Sequence, residues 1–354
     1  MIRLKYTKVK VSEIKEPITF FCRRNLSSKL PTLKTSYLRH QTKPAHFFKV
    51  IQANSVSSDL KSMNSLLQNE KQLQKTLYTI NQGVIGDYLQ KNFVFWLNAY
   101  AKQAGSSCAD YLGGNISLDM MCKNFTRFCF DNKIHLDPIR TLDSFKRHNE
   151  LSDNAIKMEL EQIKPKKEIN LLGFGLDEGH YEQHIAAYLL FSGKAEKVNL
   201  FGFDPYAKRN PAILYLSINE LHSNQRTFDL IIARWVLHHV EMKSRWSTFV
   251  SCINRCNPGA QILVFEHGYL ENTSFLNRKF SALLNATFDI VSNIGLRPGY
   301  FLNTKNMGED FYIDYLEPKD FLTINSQVLV NLDMELYDVG PGFPNQTLCK
   351  MSIK

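Results

Sequence analysis

From residue 168 onward, short apolar runs alternate with stretches of helical period, and this alternation restricts the possible fold more than any other feature of the chain. The runs are INLLGFG (Ile169–Gly175), KVNLFGFD (Lys197–Asp204), AILYLS (Ala212–Ser217), FDLIIAR (Phe228–Arg234) and AQILVFEHG (Ala260–Gly268). A strand that is apolar throughout is covered on both faces, which is the condition inside a parallel sheet flanked by helices. The pattern therefore predicts an α/β fold: an open, Rossmann-like, largely parallel sheet with helices on both sides. The end of the chain differs. Glu317–Asn331 reads as a helix with Pro318 near its first turn. MELYDVG (Met334–Gly340) and TLCKMSIK (Thr347–Lys354) follow, separated by a Pro/Gly-rich link, and predict an antiparallel hairpin at the sheet edge. Eight residues separate Asp204 from the next apolar run at Ile213. A parallel crossover normally needs a dozen or more, so the second crossover helix is expected to be short or absent.

Residues 57–160 have a different texture. Leu60, Met63, Leu66, Leu67, Leu73 and Leu77 recur near the helical period. DYLQKNFVFWLNAYAKQAG continues that mode and stops at Gly105, and Ser117 is placed to cap the helix that follows it. The expected organisation is a basic tail over residues 1–45, a helical cap over 46–160, and the sheet domain over 165–354. The net charge of +9 is concentrated in the tail, where eleven Lys or Arg stand against Glu13 and Glu16. Three readings of the tail stay open: a solvated tail, an arm that tracks RNA phosphates, and an organellar transit peptide, since FFCRRNLSS is rich in Arg and Ser.

No apolar run approaches the roughly twenty residues that a membrane helix needs, so no membrane span is expected. Seven scattered cysteines in a chain of 354 residues point to a reducing, cytoplasmic compartment, with organellar import as the alternative. Cys252 and Cys256, at i and i+4 on one helix face, read as small core residues because no second Cys or His pair has zinc spacing, with a metal site as the alternative.

In an open α/β sheet, ligands bind outside the carboxyl ends of the strands. The first strand runs into GFGLDEGHY (Gly173–Tyr181), a glycine turn opening a helix, where backbone and helix N-terminus can approach an anionic group. The second strand ends in Asp204, an acid able to accept both hydroxyls of a ribose. The fourth ends in Arg234 and Trp235 with His238 just beyond, and the fifth ends in Glu266 and His267. The pair of glycine turn and acid suits an adenosine-containing ligand.

Three further motifs fall in order: Phe228-Asp229, Leu237-His238-His239 and Asn257-Pro258-Gly259. With them, residues 168–354 resemble the class I S-adenosylmethionine-dependent methyltransferases. The resemblance implies S-adenosyl-L-methionine as cofactor. It places Gly173, Gly175, Asp177 and Gly179 along the methionine portion, Asp204 on the ribose, Ser217 and Ile218 beside the adenine, and Arg234 at the pocket, with Ala233–Val236 closing over the methyl group. Gly173 stands where the family has an acid, Asp177 where it has a glycine, and Ser217 where it has an acid. His238, Glu266 or His267 is expected to take a proton from an attacking O–H or N–H. Methyl transfer itself requires no metal.

Segments typical of adenine-N6, cytosine-C5 and ribose 2′-O enzymes are absent from the chain. The expected acceptor is a small molecule under a cap built from the helical region and the aromatic insert Ile294–Glu317. An RNA-directed enzyme using residues 1–45 and a non-catalytic relative are the alternatives, and oligomeric state stays open.

Overall fold

The computed structural model describes residues 8–9, 56–81, 85–103, 105–134, 136–205, 209–223, 226–267, 275–296, 327–338 and 346–354, with residues 313, 315, 316, 320, 321 and 324. Among the described residues, a two-residue strand β1 (Lys8–Val9) is followed by six helices: α1 (Val56–Gln68), α2 (Glu70–Asn81), α3 (Asp87–Gln103), α4 (Gly105–Gly113), α5 (Leu118–Asp131) and α6 (Pro138–Glu161). Their ends follow local chemistry. The Ser117 hydroxyl accepts from the Met120 N–H at 3.1 Å and starts α5. Asp137 accepts from the Ile139 and Arg140 N–H groups, with Pro138 in the first turn of α6. The inward stripe of α5 is Met121, Cys122, Phe125, Phe128 and Cys129, and α3 faces it with Phe93, Leu97 and Tyr100.

The sheet follows: β2 (Lys166–Phe174), β3 (Ala195–Phe203), β4 (Leu214–Tyr215), β5 (Phe228–Arg234), β6 (Cys256–His267), β7 (Leu332–Asp338) and β8 (Gln346–Ile353). Its order is β4-β3-β2-β5-β6-β8-β7, with β1 antiparallel to β3 on the β4 side. Strands β2 to β6 are parallel, β8 runs antiparallel between β6 and β7, and β7 and β8 pair along their length. The alternating runs thus form the expected sheet, and the terminal hairpin closes its edge. The third strand is only two residues long, and among the described residues no helix joins it to β3. Of the helix expected over Glu317–Asn331, Asp320, Phe321 and Ile324 are helical, while residues 327–331 run through turn and bend and lie outside any helix. Most of the aromatic insert lies outside the described residues.

The connecting helices are α7 (His180–Phe191), α8 (Ile218–Ser223), α9 (Met242–Ile253) and α10 (Phe275–Leu296). The last of these packs away from the sheet's other helices. Phe280, Leu283, Ala286, Phe288 and Ile290 of α10 share one core with α1 to α5, and the Phe93 and Phe288 rings meet edge-on at 5.5 Å. Cys256 opens β6 rather than continuing the helix of Cys252, so the two do not share a helix face, although both are buried. His238 lies in a short 3-10 turn, Leu237–His239, separate from α9. No helix among the described residues is long and apolar enough to cross a membrane.

Strand β5 is apolar because both faces are covered: Leu230, Ile231, Ile232 and Ala233 have no exposed surface. Its one acid has a structural task. Asp229 accepts from the Lys166 ammonium (2.8 Å), the Asn170 backbone N–H (2.9 Å) and the Asn257 side-chain amide (2.9 Å), tying the amino ends of β2, β5 and β6 together. Although burial opposes its ionisation, these donors hold its carboxyl below the usual range. Asp229→Ala should destabilise the protein by about 2–3 kcal/mol in urea denaturation, the range for hydrogen bonds to a charged group. Because the folded-state pKa lies below the unfolded one, the clamp's contribution is complete above that unfolded value and is lost as pH falls. The variant's stability should therefore decline less steeply in acid than the parent's.

Candidate active site

At the carboxyl edge of β2 the chain turns through Gly175 (φ +68°), Asp177 (φ +53°) and Gly179 (φ +70°) into α7. The Gly175 N–H donates to the Phe203 carbonyl at 2.7 Å, and the Asp177 N–H donates to Asp204 Oδ2 at 2.9 Å. The turn and the acid at the end of β3 are therefore one unit. A Cβ at Gly175 would stand 1.9 Å from Val236 Cγ2, so glycine is required there by the side chain arriving from the end of β5. Gly179 precedes α7 with no side-chain cap, which leaves the first N–H groups of that helix without a capping side chain.

Gly173 opens space for Glu182 in the first turn of α7. A Cβ on Gly173 would lie 2.7 Å from Glu182 Cγ. Glu182 is buried, its Oε2 has no hydrogen-bond partner, and burial pushes its pKa up to about 7 despite the charge of Arg234. The sequence reading passed over this acid, whose signal was its place in the first turn after a glycine-rich turn.

Ser217 and Ile218 sit at the start of α8. The Ser217 hydroxyl donates to Glu220 Oε2 (2.9 Å) and accepts from the Glu220 N–H (3.2 Å), a reciprocal cap that occupies the hydroxyl locally, and Ile218 is exposed. Arg234 turns toward α6, donating to Ser152 Oγ (2.8 Å) and Asn149 Oδ1 (3.3 Å) beside Asp153. Its guanidinium lies 4.1 Å from the Tyr181 ring centroid and 4.2 Å from that of Trp235. Arg234 thereby fastens the helical layer to the sheet.

The second group on this edge is ionic. Glu266, fully buried at the end of β6, accepts from the Val236 N–H (2.8 Å) and the Leu237 N–H (2.6 Å) through Oε1, and pairs with His238 Nδ1 through Oε2. The other face of His238 meets Asp289 of α10, with Nε2 to Oδ2 at 3.7 Å, and His239 Nε2 approaches the same oxygen at 3.3 Å. Burial works against the charged imidazole, but Glu266 and Asp289 together raise His238 to about 9, and both carboxyls are held below their usual range. His267 is the opposite case: burial, with His238 adding to it, lowers its pKa to about 4. Its Nδ1 has no hydrogen-bond partner. Trp235 (φ +52°) stacks on both His148 and His267, and Tyr315 stacks on His238 at 5.3 Å. The fold thus brings His238, Glu266 and His267 together, and puts Gly175, Asp177 and Asp204 in a neighbouring group joined to them through Val236. The sequence reading did not include Asp289 or His148, which come from α10 and α6 and carry no local signal.

No family model matches the chain, and no curated protein matches its sequence. Among solved structures it is similar to the CurJ carbon methyltransferase, at 14% identity and TM-score 0.38, over 85% of this chain and 72% of that one. It is also similar to the N-methyltransferase NodS from Bradyrhizobium japonicum WM9 in complex with S-adenosyl-L-homocysteine, at 14% identity and TM-score 0.34, over 59% and 87%. A third is an S-adenosylmethionine-dependent methyltransferase from Mesorhizobium loti, at 14% identity and TM-score 0.36, over 57% and 99%. The strand order and the antiparallel β8 between β6 and β7 decide the fold without them. The chain has the class I methyltransferase fold. Within that fold the order reverses between β2 and β5, and the glycine turn and Arg234–Val236 meet at this switch point.

Glu182 supplies a test of the site's electrostatics. Its folded-state pKa of about 7 exceeds the unfolded value, so the neutral acid favours folding below the unfolded value, and that advantage is lost as pH rises through 7. Glu182→Gln keeps the shape and removes the ionisation. Thermal melts should show the variant gaining on the parent at pH 8 and matching it near pH 4.5, by an amount on the order of 3 kcal/mol. Parallel pH profiles would contradict the assignment.

Proposed function

We propose that this chain transfers a methyl group from S-adenosyl-L-methionine to an oxygen or nitrogen nucleophile, with a small molecule as acceptor. The observation that carries the reading is the coupling of Asp204 to the glycine turn at the switch point of the sheet. The residues there suit the cofactor: Asp204 for ribose hydroxyls, and the start of α7, without a capping side chain, for the carboxylate of the methionine portion. Bound there, the cofactor supplies an electrophilic methyl group. The chain's own part is to hold the acceptor in line with it and to exclude water. Of the three side chains proposed to take the acceptor's proton, His267 is favoured on geometry: Glu266 and His238 are committed to each other, while His267 Nδ1 has no partner.

A second reading, a non-catalytic relative that serves as a binding scaffold, is favoured by a different observation. The side chains of Val236 and Ile213 occupy the space in front of Gly175 and Gly179, where the family's cofactor approaches the backbone. Calorimetry with the cofactor and its demethylated product separates the two. Under the first reading both bind, and Asp204→Ala weakens them by about 1–3 kcal/mol, the cost of leaving hydroxyls unpaired. No heat at millimolar cofactor selects the scaffold.

The basic residues 1–45 lie outside the described residues except for β1. If the acceptor is small, removing them should leave turnover on that acceptor intact. An RNA-directed enzyme would instead lose affinity broadly, and the intact protein's binding would fall steeply with salt as counterions are released.

A further inference from the structure

The ionic group at the carboxyl edge contains a donor set of which only His238 is a candidate for taking the acceptor's proton, and His267 is favoured over it there. His238 Nε2, His239 Nε2 and Asp289 Oδ2 lie within 4.8 Å of one another, drawn from the 3-10 turn after β5 and from the middle of α10. The Asp289 oxygen is 3.3 Å from His239 Nε2 and 3.7 Å from His238 Nε2. Donors bound at about 2.0–2.2 Å around a tetrahedral ion are roughly 3.3–3.5 Å apart. The two Asp289 distances are therefore close to the spacing of donors around one ion.

Two independent features point to an ion. His238 Nε2 and Asp289 Oδ2 are buried atoms that make no hydrogen bond and meet only across the longer ion-pair contacts. Each of these side chains also has its other polar atom held by a neighbour: His238 Nδ1 by Glu266, and Asp289 Oδ1 by the Asn293 side-chain amide at 2.9 Å. Glu266 is itself fixed by the Val236 and Leu237 N–H groups. A carboxylate behind a ligating histidine fixes its tautomer and aims its free nitrogen, and such supports change metal affinity by roughly 10–100-fold. Two carboxylates, fully buried Glu266 and partly buried Asp289, also flank the single imidazole of His238, and a divalent ion offsets that negative charge better than one imidazolium does. His239 is partly exposed, which provides an entry path.

We propose that His238, His239 and Asp289 bind a zinc-class divalent cation. Nitrogen, nitrogen and carboxylate are the donor types of three-ligand zinc sites, which keep a fourth position for water or a substrate oxygen. The ion would join the β5 edge to α10, and so the sheet to the helical layer. This does not depend on the methyl-transfer reading, because the ion is tested alone, without cofactor or acceptor.

The test uses the full chain, stripped with chelator and titrated with Co2+ as a visible probe and Zn2+ as competitor. The expected result is one Co2+ per chain, with the intense visible bands of low coordination number, displaced by Zn2+, and a raised melting temperature. His239→Ala removes a ligand at a partly exposed position, and Asp289→Asn removes the anionic donor with little change of shape. Each should weaken Co2+ binding at least tenfold while the circular dichroism spectrum stays that of the parent. Three results would overturn the proposal: no Co2+ or Zn2+ binding by the folded parent, which leaves a metal-free ionic triad; a thiolate charge-transfer band, which assigns the ion to cysteine; or folded His239→Ala and Asp289→Asn proteins that bind as tightly as the parent.

Discussion

The carboxylate of Glu266 is the contact on which the rest of this edge depends. It is fully buried, and a buried charge is costly unless hydrogen-bonded and paired. It meets that condition with two backbone N–H groups after β5 and with His238, whose far side faces Asp289 of α10. A single side chain at the end of one strand therefore sets the path of the turn after its neighbour and the position of a helix that belongs to another layer. Loss of Glu266 would leave His238 Nδ1 and both amides in want of partners, while Asp289 would keep His238, His239 and Asn293.

The same logic explains how two layers of different texture become one edge. Arg234 reaches from β5 to Ser152 and Asn149 of α6 between two aromatic rings, and Trp235 packs against both His148 of α6 and His267 of β6, whose rings also meet each other at 6.2 Å. Gln346 at the start of β8 donates to the ring of His148 at 2.6 Å. The polar residues that end the apolar strands are spent largely on binding the helical layer. At the other end of the sheet, Asp229 performs the complementary task by holding three strands in register.

Along this edge the chemistry divides into two neighbouring groups that meet at Val236. Asp204, Asp177 and the start of α7, which has no capping side chain, form one group. The histidines, Glu266 and Asp289 form a dry, charged knot. Val236 packs against Gly175 while its N–H donates to Glu266. Any ligand that moves Val236 to reach the glycine turn thus also acts on the knot.

The sheet was legible in the sequence because strands covered on both faces must be apolar throughout, and the five runs differ from the observed strands mainly at their ends. The hairpin, the Ser117 cap and the short or absent crossover helix before the third strand were legible for similarly local reasons: a Pro/Gly link, a hydroxyl three residues before an N–H, and too few residues for a crossover. That the third strand itself has only two residues was not. Strand ends also marked His238, Glu266, His267 and Asp204 as edge residues. What tertiary structure alone decided was what each of those groups faces. Ser217 turned into a helix cap, and Arg234 into a tie to α6. Glu182 moved into the space that Gly173 leaves, and Asp289 came from a helix whose apolar period says only that it packs, not against which layer. Periodicity and spacing report short-range backbone constraints. Whether a histidine is charged, neutral or a ligand depends on which carboxylates long-range packing brings within a few ångströms, and that is set by the whole fold at once.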